Sequence, residues 1–334
     1  MIIVPSCYAA MVMFDSDRTK VLPSAVAALS WGGMFPIAAS ALHHVDPFPL
    51  TAIRYGIAVL AFLGIVAAVE GRHALRPGGR ALELFVLGSI GFAGFNLLGY
   101  LGLEHTRAQD AALIVAAQPL LTVLALWALT RKPPTKATLV AIVLALLGVA
   151  LVISRGDPSQ LVHGSGSGGD LLILVGAAGW VAYTLGARRF PEFSPLRYTA
   201  LSAVGGTLTI FAATAIMAVA GAERLPSADD LQAAWLQLIF VVFAGGVLAV
   251  IAWNEGIRRL GPANGALFIN LVPVVTFAIA IAQGYRPGGV EVGGVLLTLA
   301  ALVGANLAGR QAIRRPSRLA WAATRAANAA KSRP

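Results

Sequence analysis

Cysteine is nearly absent. Cys7 is the only one, which excludes a disulfide framework and any metal cluster built on thiolates. Charge is scarce as well: 12% of the residues are charged against 57% hydrophobic, at a mean hydropathy of +0.77. A water-soluble fold with that ratio has too few polar side chains to cover its surface. The histidines, His43, His44, His73, His105 and His163, fall in expected loops or at helix ends, with no HExxH pattern and no paired carboxylates inside an apolar run. The signatures of metal-dependent and acid–base enzymes are therefore missing, and the sequence reads as no enzyme, with no cofactor and no metal. His43 and His44 read as a solvated loop. The alternating pattern of a β-barrel is missing too.

What the sequence has is apolar length. Runs able to cross a hydrocarbon core of about 30 Å, which takes roughly 20 helical residues, recur along almost the whole chain. Lipid offers nothing to an unpaired backbone, so these runs are expected as helices. The fold class is an all-α membrane protein of ten transmembrane helices, at about 21–41, 48–69, 81–104, 108–130, 134–154, 170–187, 194–221, 231–257, 262–282 and 288–309. Residues 1–20 are apolar only as far as Phe14 and have neither the basic start nor the small-residue cleavage site of a signal peptide. They read as a leader. Residues 155–169 contain GSGSGG and read as a flexible linker between a first five-helix repeat, 21–154, and a second, 170–309. Residues 310–334 form a basic tail.

The division into halves rests on one stretch. GLEHTRAQDAALIVAAQPLLT, 102–122, returns without a gap as GIRRLGPANGALFINLVPVVT, 256–276. Gly102 matches Gly256, Ala112 matches Ala266, Leu113 matches Leu267, Pro119 matches Pro273 and Thr122 matches Thr276. In each copy an apolar helix ends at a glycine, a short polar hinge follows, and the next apolar helix carries a proline near its middle. Five crossings is an odd number, so the second repeat enters from the opposite side and the repeats are inverted. Many carriers obtain two conformations of similar energy from that geometry. Placing both termini in the cytoplasm puts Arg72, Arg76, Arg80, Arg131, Lys132, Arg188, Arg189, Arg258, Arg259 and the basic tail on the inner side. Only Arg107, Arg155, Arg224 and Arg286 are left outside, as the positive-inside rule requires. The net charge of +10 thus concerns the membrane surface. Basic residues dispersed among loops and tail give no footprint for nucleic acid.

Ten spans in two five-helix halves, Arg54 early in the second span (PLTAIRYG) and the repeated hinge with its proline resemble the drug/metabolite transporter superfamily, specifically its EamA-type ten-helix exporters. The resemblance covers about 21–309. It implies an inner-membrane exporter working by alternating access around a central cavity, and the group includes exporters of aromatic and neutral amino acids. The implied partners are a small-molecule substrate and the lipid bilayer, and the sequence is neutral between a monomer and a homodimer. A nucleotide-sugar or sugar-phosphate carrier of the same superfamily would call for more interior basic residues than Arg54. An intramembrane enzyme on lipid-linked substrates would call for a converging catalytic set.

Candidate site residues are the polar and proline positions at depth. Pro36, Pro119 and Pro273 have no N–H to give to the carbonyls of Gly32, Val115 and Ile269, and helices with such gaps bend most readily beside a cavity. Gln118 precedes Pro119, Asn270 lies a turn before Pro273, and Asn96 and Tyr100 share one face of the third span. An amide in hydrocarbon is costly unless paired, so these side chains read either as interhelical hydrogen bonds or as substrate contacts. Trp31 and Trp180 fall near the middle of equivalent spans, with Tyr183 a turn beyond Trp180. They read as ring faces for a cargo or as core filling. Arg54 has three readings: snorkelling, an ion pair with Asp46, Glu104 or Asp110, or a fork holding a substrate carboxylate. No acidic residue is expected at the midplane, which argues against an Asp or Glu proton relay.

Overall fold

A computed structural model of the chain describes residues 5–131, 133–159, 167–260 and 266–314. Among them there is no strand. Ten apolar helices run as α1 (Val21–Ala41), α2 (Pro47–Val69), α3 (Ala81–His105), α4 (Ala108–Thr130), α5 (Lys136–Ser154), α6 (Gly168–Arg189), α7 (Pro195–Val219), α8 (Trp235–Gly256), α9 (Phe268–Ala282) and α10 (Gly289–Gly304). The first eight are long and apolar enough to cross a membrane, and α9 and α10 are shorter apolar stretches. The helix containing α1 starts at Pro5 and passes Pro23 and Pro36 as one helix. The helix of α10 continues to Arg314. Leu60, Leu129 and Val219 point outward, as lipid-facing surface must, and Trp127 and Trp235 stand half-exposed near span ends where an interfacial belt belongs.

Helix ends follow local chemistry. α2 and α7 open on prolines, which lose nothing at a helix start because the first N–H groups have no partner anyway. Ser194 Oγ accepts from the Arg197 N–H at 3.0 Å and Thr135 Oγ1 from the Thr138 N–H at 3.2 Å. Helix structure resumes at Ser167, inside the Gly-rich stretch expected as linker. The reason is packing: Gly169 of α6 and Gly102 of α3 lie so close that a Cβ on Gly102 would stand 2.5 Å from the Gly169 carbonyl oxygen.

The halves pack across each other. α3 lies on α6 and α8 on α1; α4 lies on α6 and α9 on α1; α3 lies on α7 and α8 on α2; α2 pairs with α7 and α5 with α10. Exchanging α1 with α6, α2 with α7, α3 with α8, α4 with α9 and α5 with α10 leaves that list unchanged, which is the pattern two inverted repeats produce. The contact points are equivalent too. Where α3 meets α6 at Gly102 and Gly169, α8 meets α1 at Gly256 and Ser24. α5 crosses α10 at Gly148 and Gly294, and α3 crosses α7 at Gly88 and Gly206. Without a hydrophobic force between helices in lipid, small residues that let backbones touch carry the association.

Departures from regular α-helix also come in equivalent pairs. α3 contains a π-helical turn at Ser89–Gly94 and α8 one at Phe240–Leu248. α4 breaks at Ala117, its second piece starting at Gln118 with Pro119 next, and α9 begins as a 3-10 turn, Ala266–Asn270, before Leu271 and Pro273. The 154-residue offset of the hinge places Ala117 on Leu271.

These contacts make a paired prediction. A Cβ at Gly88 would sit on the Ser202 carbonyl, whereas one at Gly64 meets nothing within 4 Å. Gly88→Val is expected to destabilise by at least ~1–3 kcal/mol, seen as a lower melting temperature of the detergent-purified protein. Gly64→Ala is expected to be neutral or stabilising by up to ~1 kcal/mol.

Candidate functional site

The polar interior centres on α2 and α3. Asn96 and Tyr100, one turn apart, are buried at 4% and 5% exposure. The Asn96 Nδ2–H donates to the Phe92 carbonyl at 2.8 Å, which fixes the amide so that Oδ1 faces α2. Arg54 meets them there: its Nη1 donates to Asn96 Oδ1 at 2.8 Å and to Tyr100 Oη at 2.9 Å, and Nη2 reaches the Gly245 carbonyl at 3.4 Å. That carbonyl belongs to the π turn of α8, whose looser ladder exposes its oxygens to side chains. It also accepts the Trp31 Nε1–H at 3.1 Å. Arg54 thus joins both repeats.

Beside this cluster lies a small cavity of about 20 Å³, lined by Met34 and Phe35 of α1, Phe95, Asn96, Gly99, Tyr100 and Leu103 of α3, Val115 of α4 and Ile173 of α6. Its only polar side chains are Asn96 and Tyr100. Val115 is the residue whose carbonyl gets no N–H from Pro119. The volume suits a water or one ligand oxygen. The cavity lies off-centre, toward the end of the bundle that carries the 41–47 and 105–108 turns.

The other expected residues are distributed around it. Trp31 packs on Trp253 with ring centroids 5.4 Å apart. Trp180 and Tyr183 lie in an aromatic cluster with Phe92, Phe95 and Tyr198, at centroid separations of 4.9 to 5.7 Å. Phe95 connects that cluster to the cavity. Tyr183 is buried, and its Oη accepts from Ser202 Oγ at 3.3 Å. Gln118 Nε2 and both amide atoms of Asn270 are buried without a hydrogen-bond partner. The structure therefore brings Asn96, Tyr100 and Arg54 together at the cavity. Trp31 is linked to them through Gly245, and Trp180 and Tyr183 through Phe95; Gln118 and Asn270 lie apart.

The expected ion pair of Arg54 is corrected. Among the described residues no carboxylate bridges to it: Asp46 accepts the Arg224 backbone N–H at 2.6 Å, Asp110 is held by Arg107, and Glu104 is exposed. The cause is depth. The buried carboxylates Asp110, Glu223 and Glu291 all belong to end turns, whereas Arg54 lies seven residues (47 to 54) into α2, about 10 Å at 1.5 Å per residue. Reasoning from the sequence also missed Gly245, Phe95 and Trp253. One signal was available: Phe92-Ala93-Gly94 recurs as Phe243-Ala244-Gly245, marking both π turns.

Both ends of the bundle are tied. At one end Arg107 Nε and Nη2 fork onto Asp110 at 2.7 and 2.9 Å, and its Nη1 donates to Glu291 Oε1 and Tyr285 Oη at 2.6 Å, joining α4 to the α9–α10 turn. Burial opposes that charge, but Asp110 and Glu291 outweigh it and hold the Arg107 pKa above its ordinary value. At the other end Arg80 donates to Glu192 at 3.0 Å and Glu83 at 3.1 Å, and lies over the Phe190 ring at 3.9 Å. Arg197 donates to the Arg76 carbonyl at 2.8 Å. Among the described residues no three of His, Cys, Asp and Glu stand close enough to hold a metal ion.

Residues 20–154 and 167–307 each match the EamA-like transporter family. The chain is 34% identical over 286 residues, covering 84% of its own length and 89% of the relative's, to the uncharacterized transporter YrdR of Bacillus subtilis (strain 168). It is 25% identical over 253 residues, 75% of its length and 81% of the relative's, to a protein named "Probable terminal-alkyne amino-acid exporter" of Streptantibioticus cattleyicolor. A solved crystal structure superposes with a TM-score of 0.63 at 22% identity, over 88% of this chain and 98% of that one, a likeness of fold. Both five-helix halves being matched, the chain belongs to the EamA-like transporter family of the drug/metabolite transporter superfamily and is a multi-pass membrane transporter, not an enzyme.

Proposed function

We propose that the protein exports small amphipathic metabolites, with neutral and aromatic amino acids first among them, by alternating access across the inner membrane, both termini lying in the cytoplasm. The observation that carries the reading is the small cavity, apolar except for Asn96 and Tyr100, set between inverted halves that are tied together at both ends. A site with apolar walls and two fixed polar groups suits a molecule with one polar end and one apolar end. The distant likeness to a protein named as an amino-acid exporter adds support.

In this reading Asn96 and Tyr100 contact the polar end of the cargo, and Trp31, Trp180 and Tyr183 supply ring faces as the cavity widens. Gln118 and Asn270 gain partners when the broken helices α4 and α9 reorient. Each unpartnered buried amide costs ~1–3 kcal/mol, so the described state carries a strain that another arrangement relieves. Pro36, Pro119 and Pro273 mark where helices bend.

Two outcomes are expected. Liposomes containing the purified protein should show saturable flux of labelled neutral or aromatic amino acids, lowered at least tenfold by Asn96→Leu and several-fold by Trp180→Ala or Gln118→Ala with insertion intact. Absence of saturable flux for every amino acid tried removes the substrate class. The Arg107 tie predicts a second result. In a Cys7→Ser, Gly99→Cys background, Arg107→Gln should raise labelling of the new thiol by a membrane-impermeant maleimide from the outer side. Unchanged labelling means that Arg107 does not hold that end shut.

A further inference from the structure

Arg54 is 4% exposed and lies among apolar helices, yet no described carboxylate answers its charge. The contrast with the other arginines is sharp. Arg107, Arg80 and Arg224 each meet a carboxylate at 2.6 to 3.1 Å. Even the second Arg-Tyr pair of the chain, Arg197-Tyr198 in α7, is settled differently. Arg197 lies at the bundle end, donates to a backbone carbonyl and stacks 4.0 Å over Phe193. Arg54-Tyr55 is placed deeper, with two neutral side-chain oxygens and one long contact to a carbonyl, and its Nε–H has no partner at all.

Magnitudes decide whether those neutral partners suffice. Removing a cation from water costs several kcal/mol even after relaxation, and hydrogen bonds to a charged group return roughly 1.5–3 kcal/mol each. Two well-formed bonds and one at 3.4 Å come close to holding the group in place, but they leave it positively charged and short of donor partners. The rings of Tyr55 and Tyr100, with centroids 5.0 and 5.9 Å from the guanidinium carbon, add about 1–2 kcal/mol in a desolvated site and carry no negative charge.

Arg54 itself stays behind the cavity wall, its free Nε–H turned toward Gly246 of α8, and Tyr100 is the group that reaches the cavity. Tyr100 accepts from Arg54, so its own O–H hydrogen is unused by that contact, and Tyr100 lines the cavity. A phenol whose oxygen is bonded to a guanidinium is a stronger donor than a free one. We infer that Arg54 and Tyr100 form a receptor for a single carboxylate, with the Tyr100 O–H on one oxygen and the guanidinium balancing the charge, so that substrates of this carrier are monoanionic or zwitterionic carboxylates. This rests on the carrier reading and narrows it. One cation held directly behind the Asn96–Tyr100 wall of a pocket of about 20 Å³ fits one carboxylate oxygen. A phosphate dianion would leave a net negative charge there. Displacing the 3.4 Å contact to Gly245 would leave the carbonyl in the α8 π turn to Trp31 alone, coupling an arriving anion to the opposite repeat.

The test separates the receptor from the carrier. Binding of L-tryptophan, indole-3-propionate, indole-3-propionamide and tryptamine to the purified full-length protein is measured by intrinsic fluorescence and thermal shift, beside the liposome flux. The two carboxylates should bind at least tenfold tighter than the neutral amide and the amine. Arg54→Gln should abolish that preference, Arg54→Lys should keep part of it, and Tyr100→Phe, which removes one oxygen, should weaken carboxylate binding several-fold while leaving the amide within twofold. Equal binding of carboxylate and amide, no binding of either carboxylate, or a preference that survives Arg54→Gln and Tyr100→Phe overturns the receptor. Amino-acid flux without a charge preference leaves the carrier standing and removes the receptor. Arg54-dependent carboxylate binding without flux does the reverse.

Discussion

Hydrocarbon offers no hydrogen bond to a backbone N–H or carbonyl, so every departure from the regular α-helical ladder inside a bilayer must be answered by another part of the protein. That constraint organises this molecule. The ladder is interrupted in α3, α4, α8 and α9, the four helices on either side of the repeated hinges. In α8 the answer is visible: the Gly245 carbonyl in the π turn receives both Trp31 and Arg54. In α4 the interruption at Ala117 lies two residues from Val115, on the wall of the cavity. The helices that carry no interruption, α2, α5, α6 and α7 among them, pack by glycine and small-residue contacts and form the frame. Irregular backbone and polar side chains occur together because each satisfies the other.

Charge follows the same division. Among the described residues the carboxylate–arginine pairs lie at the two ends, where α-helix starts favour acidic groups; Asp110 and Glu291 are both the third residue of their helices. The partly exposed Arg80 pairs are individually weak, whereas Arg107 meets two buried carboxylates and is the firmer tie. Among the described residues the interior keeps neutral polar groups and one cation, Arg54. An acid beside Arg54 would have neutralised the site and made it a strut; its absence leaves a field that a ligand, rather than the protein, completes.

Much of this was legible in the residues. The ten helices fall within a few residues of the apolar runs, because a length of about 20 apolar residues has few alternatives in a membrane, and the hinge repeat gave the inverted pairing before any coordinates. Asn96 with Tyr100 on one face follows from helical periodicity alone. What could not be read were relations between distant segments and the behaviour of main-chain atoms. Gly245 bonds through its carbonyl, which no side-chain pattern announces. Gly91 packs closely on Tyr183, and the π turn that contains it is a matter of ladder register. An ion pair of Arg54 with Asp46, Glu104 or Asp110 was one of its readings because all lie toward the same end; the depth difference of about one and a half to two turns that separates them is a three-dimensional fact. The start of α6 inside the Gly-rich stretch depends on Gly102, some sixty residues earlier.

The equivalence of the halves also shows where the present conformation departs from symmetry. The hinge offset places Tyr100 on Asn254 and Val115 on Ile269, next to Asn270. On the first repeat those positions hold the cavity, with Tyr100 bonded to Arg54. On the second, the Asn254 Nδ2 and both amide atoms of Asn270 are buried without partners. The two units therefore differ in how the polar groups at these positions are met. In the first repeat Tyr100 has a partner beside a small space, while Gln118 Nε2 and Arg54 Nε keep unmet N–H groups; in the second the amides at the equivalent positions are unmet, at ~1–3 kcal/mol each. A difference of that size is of the order that separates interconverting states of a protein. On the carrier reading proposed above, the unpartnered amides of α8 and α9 are the positions that gain partners when the halves exchange conformations.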